Sequence, residues 1–261
     1  MAARLFWPPA GHAVDGSAPE QRLPPEAHRY LARVLRLRVG DTLVVFDGEG
    51  REWDATIVRS QDEETWIQLS NGRQTAARGT TLTLLQALPK ADRMEFVVQK
   101  ATELGVDQIV PVLTSRVVVR LDPDKAAARQ QRWQKIAQEA ARQCGRADVP
   151  RVHTPSTLAD ALGNLPPGKR LAAWEDAHGQ PLLACVNPND EHLQILIGPE
   201  GGLSRDEVAR AEALGFVPVT LGPRILRTET AALVALTLAQ AGTGGLDESH
   251  EARRARALTS A

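Results

Sequence analysis

From Thr81 onward, short apolar runs alternate with longer stretches of helical periodicity, and this alternation constrains the fold more than any other feature of the sequence. A short apolar run bounded by turn signals reads as a strand buried on both faces. Strands that alternate with helices make a parallel sheet with helical crossovers. The expected strands are residues 81–87, 108–113, 116–121, 170–174, 193–197 and 216–221, and the expected helices are residues 91–104, 123–144, 204–214 and 230–241. Ser204 with Glu207 three residues on is a capping box, and Gly215 is the matching stop. The helix at 230–241 is apolar nearly all round and needs burial on several sides.

The chain before Thr81 follows another rhythm. Residues 43–46, 52–59 and 65–69 read as strands, with Asp47-Gly48 opening a turn between the first two. Tyr30, Leu31, Val34, Leu35 and Leu37 have near-helical spacing ahead of the stop at Gly40. The polar stretch 71–79 is the linker candidate. The expected division is a small helix-plus-barrel domain at 1–73, an α/β domain at 80–245, and a fraying tail at 246–261.

Composition excludes several classes. A formal charge of -1 rules out a polycation, so any nucleic acid must be held by local basic patches. The two cysteines, Cys144 and Cys185, have neither metal-ligand spacing nor disulfide-framework density, so no metal site is expected and a reducing cytoplasm fits. No run approaches the roughly 20 apolar residues of a membrane span.

Two strand-to-loop junctions carry the chemistry: residues 195–197 entering Gly198-Pro199-Glu200-Gly201-Gly202, and residues 219–221 entering Gly222-Pro223-Arg224-Ile225-Leu226-Arg227-Thr228-Glu229-Thr230. Ligands of open α/β sheets bind at such strand ends. Glycine there lets main-chain groups reach a ligand, which suits an adenine edge. One such loop alone would merely turn the chain; two that end consecutive strands point to a small-ligand pocket. GxxxxGK[ST] and a strand-to-helix GxGxxG are both absent, against a phosphate or dinucleotide site.

IGPEGGLSRDE followed by LGPRILRTETAAL resembles the SPOUT class of methyltransferases, and within it the family that methylates N3 of a uridine in small-subunit 16S ribosomal RNA. The resemblance runs through Arg4-Leu5-Phe6, His28, Val34-Leu35-Arg36, Gly40-Asp41, Phe46-Asp47-Gly48, Arg93-Met94-Glu95-Phe96, Gln99-Lys100, Glu103-Leu104-Gly105, Trp133, Lys135-Ile136 and Gln143-Cys144-Gly145-Arg146. Many relatives have Lys-Gly-Asp or Arg-Gly-Glu before the Met94-Glu95-Phe96 match, where this chain has Lys90-Ala91-Asp92-Arg93 and so lacks that glycine. The resemblance implies an N-terminal PUA-like RNA-binding barrel, a C-terminal SPOUT domain with a trefoil knot and a mostly parallel sheet, and a homodimer.

It also implies S-adenosylmethionine as cofactor. Trp174, Glu175, Ile197, Gly198, Pro199, Glu200, Gly201, Gly202, Leu221, Gly222, Ile225, Leu226, Arg227, Thr228 and Thr230 are the expected contacts, mostly through main chain. Arg227 is the candidate for charge stabilisation or RNA orientation. Glu229 is the candidate base, with a structural role at a helix start equally open. For RNA the candidates are Arg4, His28, Arg29, Arg33, Arg36, Arg38, Lys90, Lys100, Gln143 and Arg146, with Arg29, Arg33 and Arg36 on one helical face. A second basic run comprises Arg129, Arg132, Lys135, Arg142 and Arg146, on and just after a helix. Two other readings stay open at this point: a SPOUT enzyme acting on another RNA, and a non-catalytic ribosomal RNA-binding factor.

Overall fold

The structure is a computed structural model that describes residues 3–7, 20–75, 79–90, 93–116, 122–174 and 179–247. The chain divides into two compact units, one of residues 1–76 with 141–149 and 249–261, the other of residues 77–140 with 150–248.

The first unit is a five-stranded sheet with a short helix. Its strands are β1 (Ala3–Phe6), β2 (Gln21–Arg22), β3 (Thr42–Phe46), β4 (Arg51–Gln61) and β5 (Glu64–Gln74), in the order β1-β3-β4-β5-β2. β1 lies parallel to β3, and the other neighbours are antiparallel. Trp53, Ala55 and Ile57 alternate inward along β4 and meet Leu5, Leu31, Leu43, Val45, Ile67 and Leu69 in one core. Truncating Ile57 there would cost about 2–5 kcal/mol through lost contact and cavity.

The turn after β3 is held by Asp47, whose Oδ1 accepts the backbone N–H groups of Glu49 at 2.7 Å and Arg51 at 3.1 Å. Gly48 has φ +85°, and a Cβ there would stand 2.8 Å from the Phe6 ring, so only glycine fits. The same turn is bridged by residues 147–149, through Val149 N–H to Gly48 C=O at 2.9 Å. Residues 141–149 therefore belong to this unit, whereas the sequence reading assigned them to the second domain.

Three expectations are corrected in this unit. β4 and β5 are longer than 52–59 and 65–69 because they meet in a two-residue turn at Asp62 and Glu63, at φ +43° and +68°. That turn lacks the usual Asn-Gly signal. β5 also runs to Gln74, through the first four residues of the expected linker, because Arg73 is drawn inward to Glu52 at 2.7 Å. The expected helix at 25–37 ends early: α1 (Pro25–Arg29) passes into a π turn, Tyr30–Val34, and Arg36 lies at φ +57°. The wider turn breaks the helical register, so Arg36 does not share a helical face with Arg29 and Arg33.

The second unit is α/β. In chain order it contains β6 (Thr81–Ala87), α2 (Arg93–Glu103), β7 (Gln108–Leu113), α3 (Pro123–Cys144), β8 (Arg151–Val152), β9 (Ser156–Thr157), α4 (Leu158–Gly163), β10 (Lys169–Ala173), β11 (His192–Ile197), α5 (Arg205–Ala213), β12 (Phe216–Val219) and α6 (Thr228–Gly242). A single 3-10 turn, Leu182–Cys185, precedes β11. The last four residues of α3 fall in the first unit. The sheet order is β12-β10-β11-β6-β7-β8, with β9 also on β7, and every pairing among the described residues is parallel. Its central strands β6 and β11 are buried from their second residue onward and mostly apolar, as burial on both faces requires.

The chain order is not the spatial order. β11 inserts between β10 and β6, β12 is added outside β10, and α6 then returns to pack on β6, β11 and α2. Ala232, Ala235, Leu236 and Ala239 are the buried stripe of α6, and their small size lets the helix approach closely. Leu233, Val234 and Leu238 on its other faces are only half-buried. Of the strand expected at 116–121, Arg116 is described as a turn, and residues 117–121 lie outside the described residues. None of the described helices is long and apolar enough to cross a membrane.

Candidate active site

The carboxyl ends of β10, β11 and β12 surround a cavity. Its wall comprises Ala173 and Trp174 after β10; Ile197, Gly198, Pro199, Gly202 and Leu203 from the end of β11 onward; and residues 220–226 with Thr228 and Ala231 from the end of β12 into α6. Strand ends open there because helices cover both faces of the sheet elsewhere.

Each loop is shaped by its own hydrogen bonds. Gly202, at φ +68°, donates its N–H to the Pro199 carbonyl at 2.9 Å and closes a tight turn. A Cβ on Gly198 would lie 3.1 Å from the Leu203 side chain and 3.2 Å from its nitrogen, so any larger residue would press the loop against Leu203. In the second loop Gly222, at φ +110°, donates its N–H to the Thr220 hydroxyl at 3.2 Å. The loops are tied together by Thr228, whose hydroxyl donates to the Gly198 carbonyl at 2.6 Å and accepts from the Gln86 amide at 2.9 Å.

Behind the first loop, α5 begins at Ser204 with the capping box complete: the Ser204 hydroxyl accepts Glu207 N–H at 3.2 Å and the Glu207 carboxylate accepts Ser204 N–H at 2.8 Å. The same carboxylate accepts Ser115 N–H at 2.7 Å. Burial pushes the Glu207 carboxyl up, but these backbone donors outweigh it and hold it below the usual range.

Ten of the expected contacts line the cavity: Trp174, Ile197, Gly198, Pro199, Gly202, Leu221, Gly222, Ile225, Leu226 and Thr228. Glu200, Gly201, Arg227 and Thr230 do not form part of its wall. Gly201 instead offers its carbonyl to the Arg116 guanidinium, and Glu200 turns away to accept Lys90 N–H at 2.9 Å. Arg227 is the exposed residue immediately before α6, and Thr230 is exposed in the first turn of that helix. Glu175 lies outside the described residues. Glu229 is mostly buried, and the Arg93 guanidinium stands 3.6 Å from it and 3.5 Å from Glu200.

Sequence reasoning missed Gln86 and Arg93. The signal for Gln86 was the amide near the end of TLTLLQA; Arg93 was quoted in the motif Arg93-Met94-Glu95-Phe96 at the start of α2, but nothing in the sequence paired it with Glu200 and Glu229.

The expected RNA contacts divide sharply. Arg29, Arg33, Arg36 and Arg38 are exposed in the first unit, as is Gln143. Three others are corrected, because they are spent on the interior of that unit. His28 is buried with its Nδ1 2.8 Å from the Thr65 hydroxyl. Arg4 pairs with Glu52 at 2.9 Å and donates to the Arg146 carbonyl at 3.1 Å. Arg146 is buried and bonds Asp148 at 2.5 Å. A buried guanidinium needs such partners, and sequence spacing alone does not reveal them. In the second unit Lys90 is exposed and Lys100 pairs with Glu103 at 2.9 Å, a surface contact weak enough to exchange.

Comparison with known proteins agrees with this geometry. Residues 77–240 match the family described as RNA methyltransferase domain, and residues 23–70 match the RNA methyltransferase PUA domain. The fold is thus that of an RNA methyltransferase. Ribosomal RNA small subunit methyltransferase E of Bacillus subtilis is 33% identical over 84% of this chain and 89% of its own length. That of Synechocystis is 36% identical over 79% of this chain and 68% of its own. The solved structure of the Neisseria gonorrhoeae enzyme of that name, bound to S-adenosyl methionine, superposes with TM-score 0.82 at 33% identity, covering 92% of this chain and 97% of its own. A methyltransferase of Legionella pneumophila in complex with the bound cofactor SAM gives TM-score 0.81 at 32% identity, over 92% of this chain and 98% of its own. The chain belongs to the ribosomal RNA small subunit methyltransferase E family.

Proposed function

We propose that this chain uses S-adenosylmethionine to methylate N3 of a uridine in the 16S ribosomal RNA of the small subunit. The observation that carries the reading is the cavity between the two glycine-bearing loops. Among the described residues its wall is main chain, apolar side chains, two threonines and one arginine, with no carboxylate and no cluster of cations. That donor set suits an uncharged purine read by amides and carbonyls, and it lacks the charge a phosphate would demand. Glu200 and Glu229 follow the wall residues Pro199 and Thr228 in the chain, and both face the Arg93 guanidinium.

When bound, S-adenosylmethionine supplies an electrophilic methyl carbon. The uracil imide nitrogen is a weak acid that must lose its proton before it attacks, and negative charge then develops on O2 and O4. In our reading Arg227 answers that charge or orients the RNA, helped by the N–H groups and dipole at the start of α6. Glu229 is the proton acceptor in the same reading, with Arg93 holding its carboxylate in place.

The proposed RNA contacts are the exposed Arg29, Arg33, Arg36, Arg38 and Gln143 in the first unit and Lys90 and Lys100 in the second. The proposed domain limits are 1–73 and 80–245, with residues 141–149 added to the first. We also read the second unit as a trefoil knot, supported by the return of α6 to β6 and β11 after β12 is laid at the sheet edge. A homodimer is part of the reading. It would cover the half-buried Leu233, Val234 and Leu238 of α6.

Calorimetry with S-adenosylmethionine tests the cofactor. Incubation of the chain and labelled cofactor with small subunits from cells lacking the modification, followed by mapping of the methylated nucleotide, tests the target. No cofactor affinity would end the enzymatic reading; a methyl group on another atom or another RNA would end the assignment to uridine N3.

A further inference from the structure

Gln86 is the last polar residue of β6, beside Ile197 of β11 in the sheet register, and it is fully buried. Its amide nitrogen donates to the Ala87 carbonyl at 2.9 Å and to the Thr228 hydroxyl at 2.9 Å. The opposite orientation would set the amide oxygen against the Ala87 carbonyl, so the nitrogen must face this way. Thr228, itself buried, thus receives a donor on its oxygen and has its only proton left for the Gly198 carbonyl, 2.6 Å away. The amide oxygen of Gln86 is buried without a hydrogen-bond partner among the described residues. A leucine of similar size would avoid that cost, so the amide is not explained by stability.

We propose that Gln86 is a positioning residue for the cofactor: by donating to Thr228 it commits the threonine proton to Gly198 and so fixes the first cofactor loop against the start of α6. The inference rests on the cofactor reading above. Gln86 does not line the cavity; it acts through Thr228 and Gly198, which do.

The test is calorimetric titration of the full chain with S-adenosylmethionine at pH 6 and pH 9. Gln86→Leu removes the donor but leaves the Thr228 proton directed at Gly198, so affinity should fall only a few-fold, on the scale of one neutral hydrogen bond (~5-fold). Gln86→Glu is closer in shape yet should be worse at pH 9. Its carboxylate accepts the Thr228 proton, Gly198 is released, and affinity falls by roughly tenfold or more. At pH 6 the carboxyl, pushed up by burial, is protonated, can donate to Thr228 in place of the amide, and affinity recovers. Arg227 and Glu229 flank Thr228, Glu200 follows Gly198, and Arg93 faces both carboxylates; the unaltered chain at both pH values separates their titration from that of residue 86.

Thr228→Ser, which keeps the hydroxyl, should bind more tightly than Thr228→Val at both pH values, a comparison that does not depend on a buried charge being tolerated. Equal or tighter binding by Gln86→Glu than by Gln86→Leu at pH 9, or normal binding by Thr228→Val, would overturn the inference while leaving the cofactor reading intact. Absence of binding by the unaltered chain would overturn both.

Discussion

Glu207 carries two structural duties with one carboxylate, and its removal has a magnitude that follows from the geometry. One oxygen accepts Ser115 N–H at 2.7 Å and the other accepts Ser204 N–H at 2.8 Å, in a residue only 6% exposed. Glu207→Ala leaves both backbone donors without their acceptor and removes half of the capping box of α5. Hydrogen bonds to a charged group contribute about 1.5–3 kcal/mol each and a lost cap costs about 1 kcal/mol, but the bonds share one carboxylate and are not additive, so about 2–4 kcal/mol is expected. Glu207→Gln keeps the shape and one acceptor and should lose about 1–2 kcal/mol.

The pH dependence distinguishes this account from simple packing. Burial alone would raise the Glu207 carboxyl, yet the donors from Ser115 and Ser204 leave it below the ordinary 4.5. A group lowered by folding contributes its full stabilisation above the unfolded value and loses it as pH falls through the folded value. The gap between the unaltered chain and Glu207→Gln in equilibrium urea unfolding should therefore be full at pH 7 and shrink below about pH 4.5. A loss under about 0.5 kcal/mol for Glu207→Ala at pH 7, or a Glu207→Gln gap that stays constant down to pH 3, would refute the reasoning.

Other expectations concern the proposed activity. Arg227→Ala should reduce methyl transfer to small subunits by roughly a hundredfold or more while cofactor affinity remains measurable, read by single-turnover assay beside calorimetry. Gly198→Ala forces its new Cβ against Leu203 and should weaken cofactor binding roughly tenfold with the fold retained by circular dichroism. The double variant Arg33→Ala/Arg36→Ala should weaken RNA binding and flatten its salt dependence by a slope of about 1–2, leaving cofactor affinity unchanged; an unaltered salt slope would remove both arginines from the RNA contact.

The parts of the fold that were legible in the sequence are those governed by local pattern. β6, β7 and α3 occupy the residues expected of them, because apolar runs and helical periodicity report burial directly. Ser204 and Glu207 announced the start of α5 for the same reason. β1, β2, β8 and β9 were not legible; each is four residues or fewer and is defined by a partner distant in the chain.

At the cavity, the glycines and the second loop were readable from composition at a strand end. Glu200 was not, since nothing in IGPEGG says that its carboxylate turns toward Lys90. Charged residues failed most where they are buried. Arg4 and Arg146 look like surface cations until Glu52 and Asp148 are found beside them.

The link from Gln86 to Thr228 joins residues 142 positions apart, and Thr228 opens the last helix of the second unit. Among the described residues, those that wall the cavity run from Ala173 to Ala231, late in the chain. During synthesis the early strands can collapse, but no cofactor pocket exists until α6 has left the ribosome and docked. Such late, long-range closure is slow to form. A wall completed only by residues 220–231 closes after the strands that precede it in the chain, and a chain truncated before Thr228 is expected to lack the cavity, read as loss of S-adenosylmethionine affinity in calorimetry.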